Sequence, residues 1–255
     1  MLVAGDEYRQ TPTDMQPGTS WWESHRLIAY SADTSIALAT QVSITVGATQ
    51  SLASFYCVVF RSGLLPIVIA DCAFQAPTSL WEFRTSGLWV DTICETPFEH
   101  WSYGLEAFGL EITDGDELLG RGYGNRVPLG WELEVEHDGS SDPVSFEQAG
   151  YDQSGEAHGL LLFADGETEF SGTALRQHWW GSTEPELASP VLAGLDRRIN
   201  DWAASLSPAA SSSNGAESHL GPVPSVALPL EVPAENPHVW WLTRTASGLV
   251  AGSAT

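Results

Sequence analysis

Residues Ser35 to Val46 alternate without a break, with Ile36, Leu38, Thr40, Val42, Ile44 and Val46 on one side and Ala37, Ala39, Gln41, Ser43 and Thr45 on the other. A period of two lays one face of an extended chain against a core and leaves no choice of helix. Similar runs follow at Leu52 to Arg61, Leu65 to Gln75, Trp81 to Thr85, Leu88 to Cys94 and His100 to Thr113. The series continues at Pro128 to His137, Glu156 to Phe163 and Glu167 to Trp180. Short turns such as Gly47 to Gln50 and Ser86-Gly87 separate them, and no βαβ rhythm or glycine-rich phosphate loop occurs. The spacing predicts an all-β, antiparallel sandwich or barrel of about 8–10 strands.

Along Trp131 to His137, Glu132, Glu134 and Glu136 share one face while Trp131, Leu133 and Val135 share the other. A row of carboxylates requires that its face meet water. Charge then bears on partners: 33 acidic residues against 10 basic ones, every one of them arginine, leave a formal net charge of −23. No basic face is left to neutralise phosphates, so nucleic acid and anionic membranes are excluded as partners. With 43% hydrophobic residues and 11 Trp, the chain has ample material for a core. The longest apolar stretch, Gly63 to Ala70, is interrupted by Pro66 and is too short to span a membrane. Met1 to Ser20 carries Asp6, Glu7 and Asp14 without a basic start, so a cytoplasmic protein is expected. Cys57, Cys72 and Cys94 lack CxxC spacing and read as buried free thiols.

The expected organisation is an N-terminal arm over 1–18, a barrel over 19–189, a short helix over 190–206 and a connector over 207–237. The helix rests on Leu192, Leu195, Ile199 and Trp202 at helical spacing, and the connector on its proline and serine content. A last strand at Val239 to Thr245 would return to the sheet within a tail over 238–255.

No histidine pair stands at HxH or HxxxH spacing and no GxSxG elbow exists, so neither a metal nor a cofactor is expected. Two stretches carry the candidate chemistry. Between Gly87 and Trp101, the acids Asp91, Glu95 and Glu99 lie among Trp89, Trp101 and His100. Carboxyls beside indoles acquire a raised pKa and can donate protons, which makes Glu95 and Glu99 candidate acids. Between Ser171 and Gly181, strand geometry points Arg176, His178 and Trp180 to one face. On the inner face of a barrel, that Arg and His could bind an oxyanion or stack on a polyene. In a weaker third group, Glu23 and His25 share a face of an early strand, read as the polar side of an edge strand.

Trp21-Trp22-Glu23-Ser24, Gly87-Leu88-Trp89 and Cys94 to Trp101 together resemble the carotenoid 1,2-hydratase-like, lipocalin-like superfamily that includes decalin-forming Diels–Alderases. Gly172 to Gly181 is similar to its Gly-x-x-x-Arg-Asp-His-x-Trp-Gly signature, with Gln177 at the acidic position. The likeness covers roughly residues 19 to 185, the first barrel of the family's two; residues 182–255 are too few for the second. It implies a lipocalin-like β-barrel and a hydrophobic, unsaturated small-molecule substrate. The pocket would lie inside the barrel, be closed by the C-terminal segment, or form in a homodimer. Three activities compete. A pericyclic cyclase would fold a linear polyene or polyketide, with His178, Arg176, Tyr103 or Trp89 as hydrogen-bond donors. An acid-catalysed hydratase or cyclase would use Glu95 or Glu99. A binder would merely line a cavity with Trp22, Phe55, Trp89, His100, Trp101, Tyr103 and Trp180. The absent acid at Gln177 favours the cyclase.

Overall fold

The computed structural model describes residues 2–10, 12, 20–33, 35–46, 51–61, 64–65, 67–77, 81–111, 124–137, 142–143, 149–183, 228–230, 238–245 and 248–254. The chain divides into two units, one of Met1–Glu111 with Gly124–Thr183, the other of Ile112–Tyr123 with Glu184–Thr255. The first is an all-β, ring-like antiparallel sheet. Its strands are β1 (Ser20–Ser31), β2 (Ile36–Val46), β3 (Ser51–Arg61), β4 (Ile67–Gln75), β5 (Phe83–Thr85) and β6 (Leu88–Thr96). They continue as β7 (His100–Glu111), β8 (Asn125–His137), β9 (Asp142–Pro143), β10 (Ala149–Phe163) and β11 (Gly166–Thr183). One 3-10 turn, Ala4–Glu7, precedes them.

Neighbours run in the order β4-β3-β2-β1-β11-β10-β8-β7, and the far end of β7 pairs back to β4 through Ile67↔Glu111 and Val68↔Leu110. Closure removes the open edges that a long antiparallel sheet otherwise presents. The β5–β6 hairpin occupies the rest of that β7 edge; its two-residue turn, Ser86-Gly87, places Gly87 at φ +93°, where a side chain would be strained.

Alternation decides what faces inward. Leu27 and Ala29 of β1, Leu38, Val42 and Ile44 of β2, and Phe55, Cys57 and Val59 of β3 join one buried cluster. From the other side come Tyr103 and Leu105, then Trp131, Leu133 and Val135, then Leu161 and Phe163. On β8, Glu132 and Glu136 are exposed and Glu134 is half-buried, as the carboxylate row demands. No helix among the described residues is long and apolar enough to cross a membrane.

In the second unit, β12 (Leu228–Leu230), β13 (His238–Thr245) and β14 (Gly248–Ala254) form an antiparallel sheet of their own. The strand expected at Val239 to Thr245 therefore exists, but its partners are β12 and β14. The expected helix over 190–206 and the Gly47 to Gln50 turn lie outside the described residues, as does the 207–237 connector apart from β12.

Candidate active site

The barrel interior is graded: the end where β1 begins is polar, and the end toward which β1 runs is apolar. Its polar end is built from the first half of β1 and the last half of β11. These strands are antiparallel neighbours, with Glu23 opposite Trp180, His25 opposite His178 and Leu27 opposite Arg176. On β10, Tyr151 stands opposite His178 and Gln153 opposite Arg176. A period of two therefore turns Glu23, His25, Tyr151, Gln153, Arg176, His178 and Trp180 into one interior. All seven are buried.

Into this interior the N-terminal turn inserts a carboxylate. Glu7, wholly buried, accepts hydrogen bonds on Oε1 from Arg176 Nη2 at 2.8 Å and from the Tyr151 hydroxyl. Its Oε2 accepts from Trp101 Nε1 at 2.5 Å and from the Phe98 amide at 3.3 Å. Burial by itself raises the Glu7 pKa, but Arg176 and the hydroxyl, guanidinium and indole donors outweigh it and hold the group below its ordinary value. The Arg176 guanidinium also donates to Tyr151 Oη at 2.8 Å and to Gln153 Oε1 at 2.6 Å, and lies 4.8 Å from the Trp101 ring. A buried arginine with its carboxylate and further acceptors in place is the arrangement that makes such burial tolerable.

A second polar knot sits beside it. Glu23 Oε2 accepts from Arg9 Nε at 2.7 Å, while its Oε1 accepts from the Gln10 amide at 2.8 Å and faces His178 Nε2 at 3.0 Å. The other ring nitrogen, His178 Nδ1, meets the Asp6 carbonyl at 2.9 Å. Both imidazole nitrogens thus face oxygen acceptors, one a carboxylate and one a backbone carbonyl.

The third component is unpaired. His25 lies 5.1 Å from the ring of Trp81, 5.0 Å from Trp101 and 5.8 Å from Tyr103, measured between centroids. His25 Nε2, Trp81 Nε1 and Tyr103 Oη are buried and make no hydrogen bond among the described residues. Burial, then the positive Arg176, then His178 and His137, push His25 well below its usual value, so the ring is neutral. Burial likewise raises Tyr103, which stays a phenol. Three neutral groups with unspent hydrogen-bonding capacity therefore converge within an aromatic wall. Left unsatisfied in a core, each carries a desolvation cost of about 1–3 kcal/mol.

Arg176, His178 and Trp180 share a face, as strand alternation implied, and that face is the interior, where Trp101, Tyr103 and Phe55 are also buried. Trp22 and Trp89 do not, because each alternates with an inward neighbour, Glu23 and Leu88 respectively; the Trp89 ring lies under Arg84 instead. His100 points outward and pairs with Glu134 at 2.7 Å. The two candidate acids stay outside the cluster: Glu95 and Glu99 are exposed, and Glu95 accepts from Ser102 Oγ. Cys94 comes to 3.8 Å from Glu7 Oε2, and burial followed by that carboxylate pushes its thiol up to about 11, unfit as a nucleophile at neutral pH.

The Glu23–His25 reading needs correction. β1 is a central strand between β2 and β11, and the face shared by Glu23 and His25 is the barrel interior rather than the wet side of an edge. Glu7, Tyr151, Gln153 and Trp81 escaped sequence reasoning. Tyr151 and Gln153 extend β10 seven residues upstream of its recognised start at Glu156, where glycine and polar residues dilute the pattern. Nothing in the local sequence signals the role of Glu7. Compared with protein-family models, with curated proteins and with solved structures, the chain matches none of them.

Proposed function

We propose that this chain is a cyclase of the pericyclic type, folding a linear hydrophobic polyene or polyketide intermediate at the polar end of the barrel interior. The observation that carries this reading is the unpaired trio of His25, Trp81 and Tyr103. A pericyclic ring closure needs no acid, base or cofactor. It needs the chain held in a reactive fold and a carbonyl polarised by neutral donors. Tyr103 Oη and Trp81 Nε1 supply donors, and neutral His25 supplies a donor or an acceptor according to its tautomer. The indoles of Trp81 and Trp101 and the apolar interior beyond them offer the surface on which an unsaturated chain orders and from which water is excluded. The likeness of Cys94 to Trp101 and of Gly172 to Gly181 to the superfamily holding Diels–Alderases points the same way. The net charge of −23 favours a substrate that is neutral, or one whose anionic group is met locally by Arg176.

One observation favours a second reading. The buried contact of Glu23 with His178 at 3.0 Å would be the proton source for acid-started hydration or cyclisation of an alkene. The two readings separate in one experiment. A strain lacking this gene is complemented with the wild type, Tyr103→Phe or Glu23→Gln, and its metabolites are profiled. The cyclase reading expects a linear precursor to accumulate in the deletion strain and in Tyr103→Phe, with Glu23→Gln restoring the cyclic product. Failure of Glu23→Gln alone would favour the acid. A profile unchanged by the deletion overturns both and leaves a binder.

A further inference from the structure

We propose that Arg176, Tyr151, Trp101 and the Phe98 amide form a carboxylate-binding site, and that Glu7 is its built-in occupant, displaced when a long-chain carboxylic acid enters the barrel. The inference rests on the reading above only for the place of the apolar chain. Five donors converge on two oxygens, the Cys94 thiol at 3.8 Å being the weakest, and four of the five belong to side chains mounted on barrel strands. The carboxylate does not belong to a strand. It arrives on the four-residue 3-10 turn Ala4–Glu7, of which Glu7 is the only buried residue.

What holds that turn is almost wholly polar. Val3 and Tyr8, the large apolar residues flanking Glu7, are 59% and 44% exposed. The remaining anchors include Arg9 and Gln10 on Glu23, Arg9 on the Pro77 carbonyl and over the Trp81 ring, and the Asp6 carbonyl on His178. An element fixed by hydrogen bonds, with little apolar surface buried, belongs to the easily opened end of a protein's local stabilities. A free acid with an unsaturated chain would accept from the same donors and in addition bury its chain, which Glu7 cannot do. The tethered carboxylate thus acts as a competitor of fixed local concentration, admitting ligands that combine a carboxylate with a hydrophobic tail and excluding either part alone.

The test uses the full chain with linoleate, methyl linoleate and propionate as probes. Hydrogen exchange over residues 3–10 is followed in the wild type. Linoleate should speed it strongly, and methyl linoleate, which lacks the charge, should not. In Glu7→Ala the competitor is gone, so propionate should raise the melting temperature relative to chloride at equal ionic strength, with no such rise in the wild type. Glu7→Ala should also bind linoleate roughly 10-fold more tightly or better, the factor expected when the native occupant fills the site about nine-tenths of the time. Absence of linoleate binding, exchange over 3–10 unmoved at saturation, or an equal effect of the ester overturns the proposal. A folded Glu7→Ala indifferent to propionate also overturns it; if that variant does not fold, the wild-type exchange decides. Displacement in a protein whose deletion leaves metabolites unchanged would sustain this site and remove the cyclase.

Discussion

Tyr103 separates a structural role from a chemical one. Its buried hydroxyl has no partner among the described residues, so it contributes nothing to the fold that phenylalanine would not. Tyr103→Phe should leave unfolding free energy unchanged or raise it by about 1 kcal/mol, since an unsatisfied buried hydroxyl is removed. If that hydroxyl polarises a carbonyl, turnover should fall on the order of 100-fold. Denaturant unfolding and product formation, measured on the same preparation, check both halves. Titration of the interior is a second residue-scale expectation. Folded His25 stays neutral well below 6.5, whereas in the unfolded chain it takes up a proton near that value. The unfolded state therefore binds more protons as pH falls below about 6.5, and stability declines from there. Glu7 acts in a lower window: its pKa is held below 4.5, so its contribution is complete above 4.5 and disappears as pH falls through the depressed folded value. His25→Phe should flatten the first decline and spare the second. Identical urea midpoints against pH in the variant and the wild type would refute the assignment.

At the scale of elements, β1 and β11 carry most of the site, and their contact has a visible weak point. Gly172 stands opposite Ser31, and a Cβ there would come within 1.8 Å of the Tyr30 carbonyl oxygen. The obstacle is backbone on a paired strand, so it cannot rotate away. Gly172→Ala should destabilise the barrel by about 1–3 kcal/mol, the usual cost of forcing extra volume into a packed interior. A melting temperature equal to wild type would show that the two strands separate more easily than their pairing implies. The same pair of strands illustrates what alternation can and cannot reveal. It correctly aligned Arg176, His178 and Trp180, because neighbours two apart must share a face. For Glu23 and His25 it recognised the shared face but not its surroundings, since β1 lies between β2 and β11 and no residue of β1 states which strands will flank it.

For the whole molecule, a net charge of −23 is a standing self-repulsion that compaction works against. Raising salt from low to moderate ionic strength should therefore raise the melting temperature, and a fall would indicate that ion pairs outweigh the net repulsion. Ion pairs among the described residues include Arg61–Asp165 and His100–Glu134 near the surface, and Arg9–Glu23, Arg176–Glu7 and His178–Glu23 within. Inside, the interactions are shielded from salt and bound to geometry. Sequence by itself determined the all-β class, nearly every strand of the ring and which residues of a strand share a face. Extended chain has a period of two, and that period is written in consecutive residues. Tertiary structure alone decided that Glu95 and Glu99 face water, that His25 Nε2 sits unpaired among indoles, and that Glu7 lies 2.8 Å from Arg176, 169 positions further along the chain. The reason is that burial of a charge depends on which distant donors arrive beside it. Closure of the ring, which no local pattern encodes, brings them there.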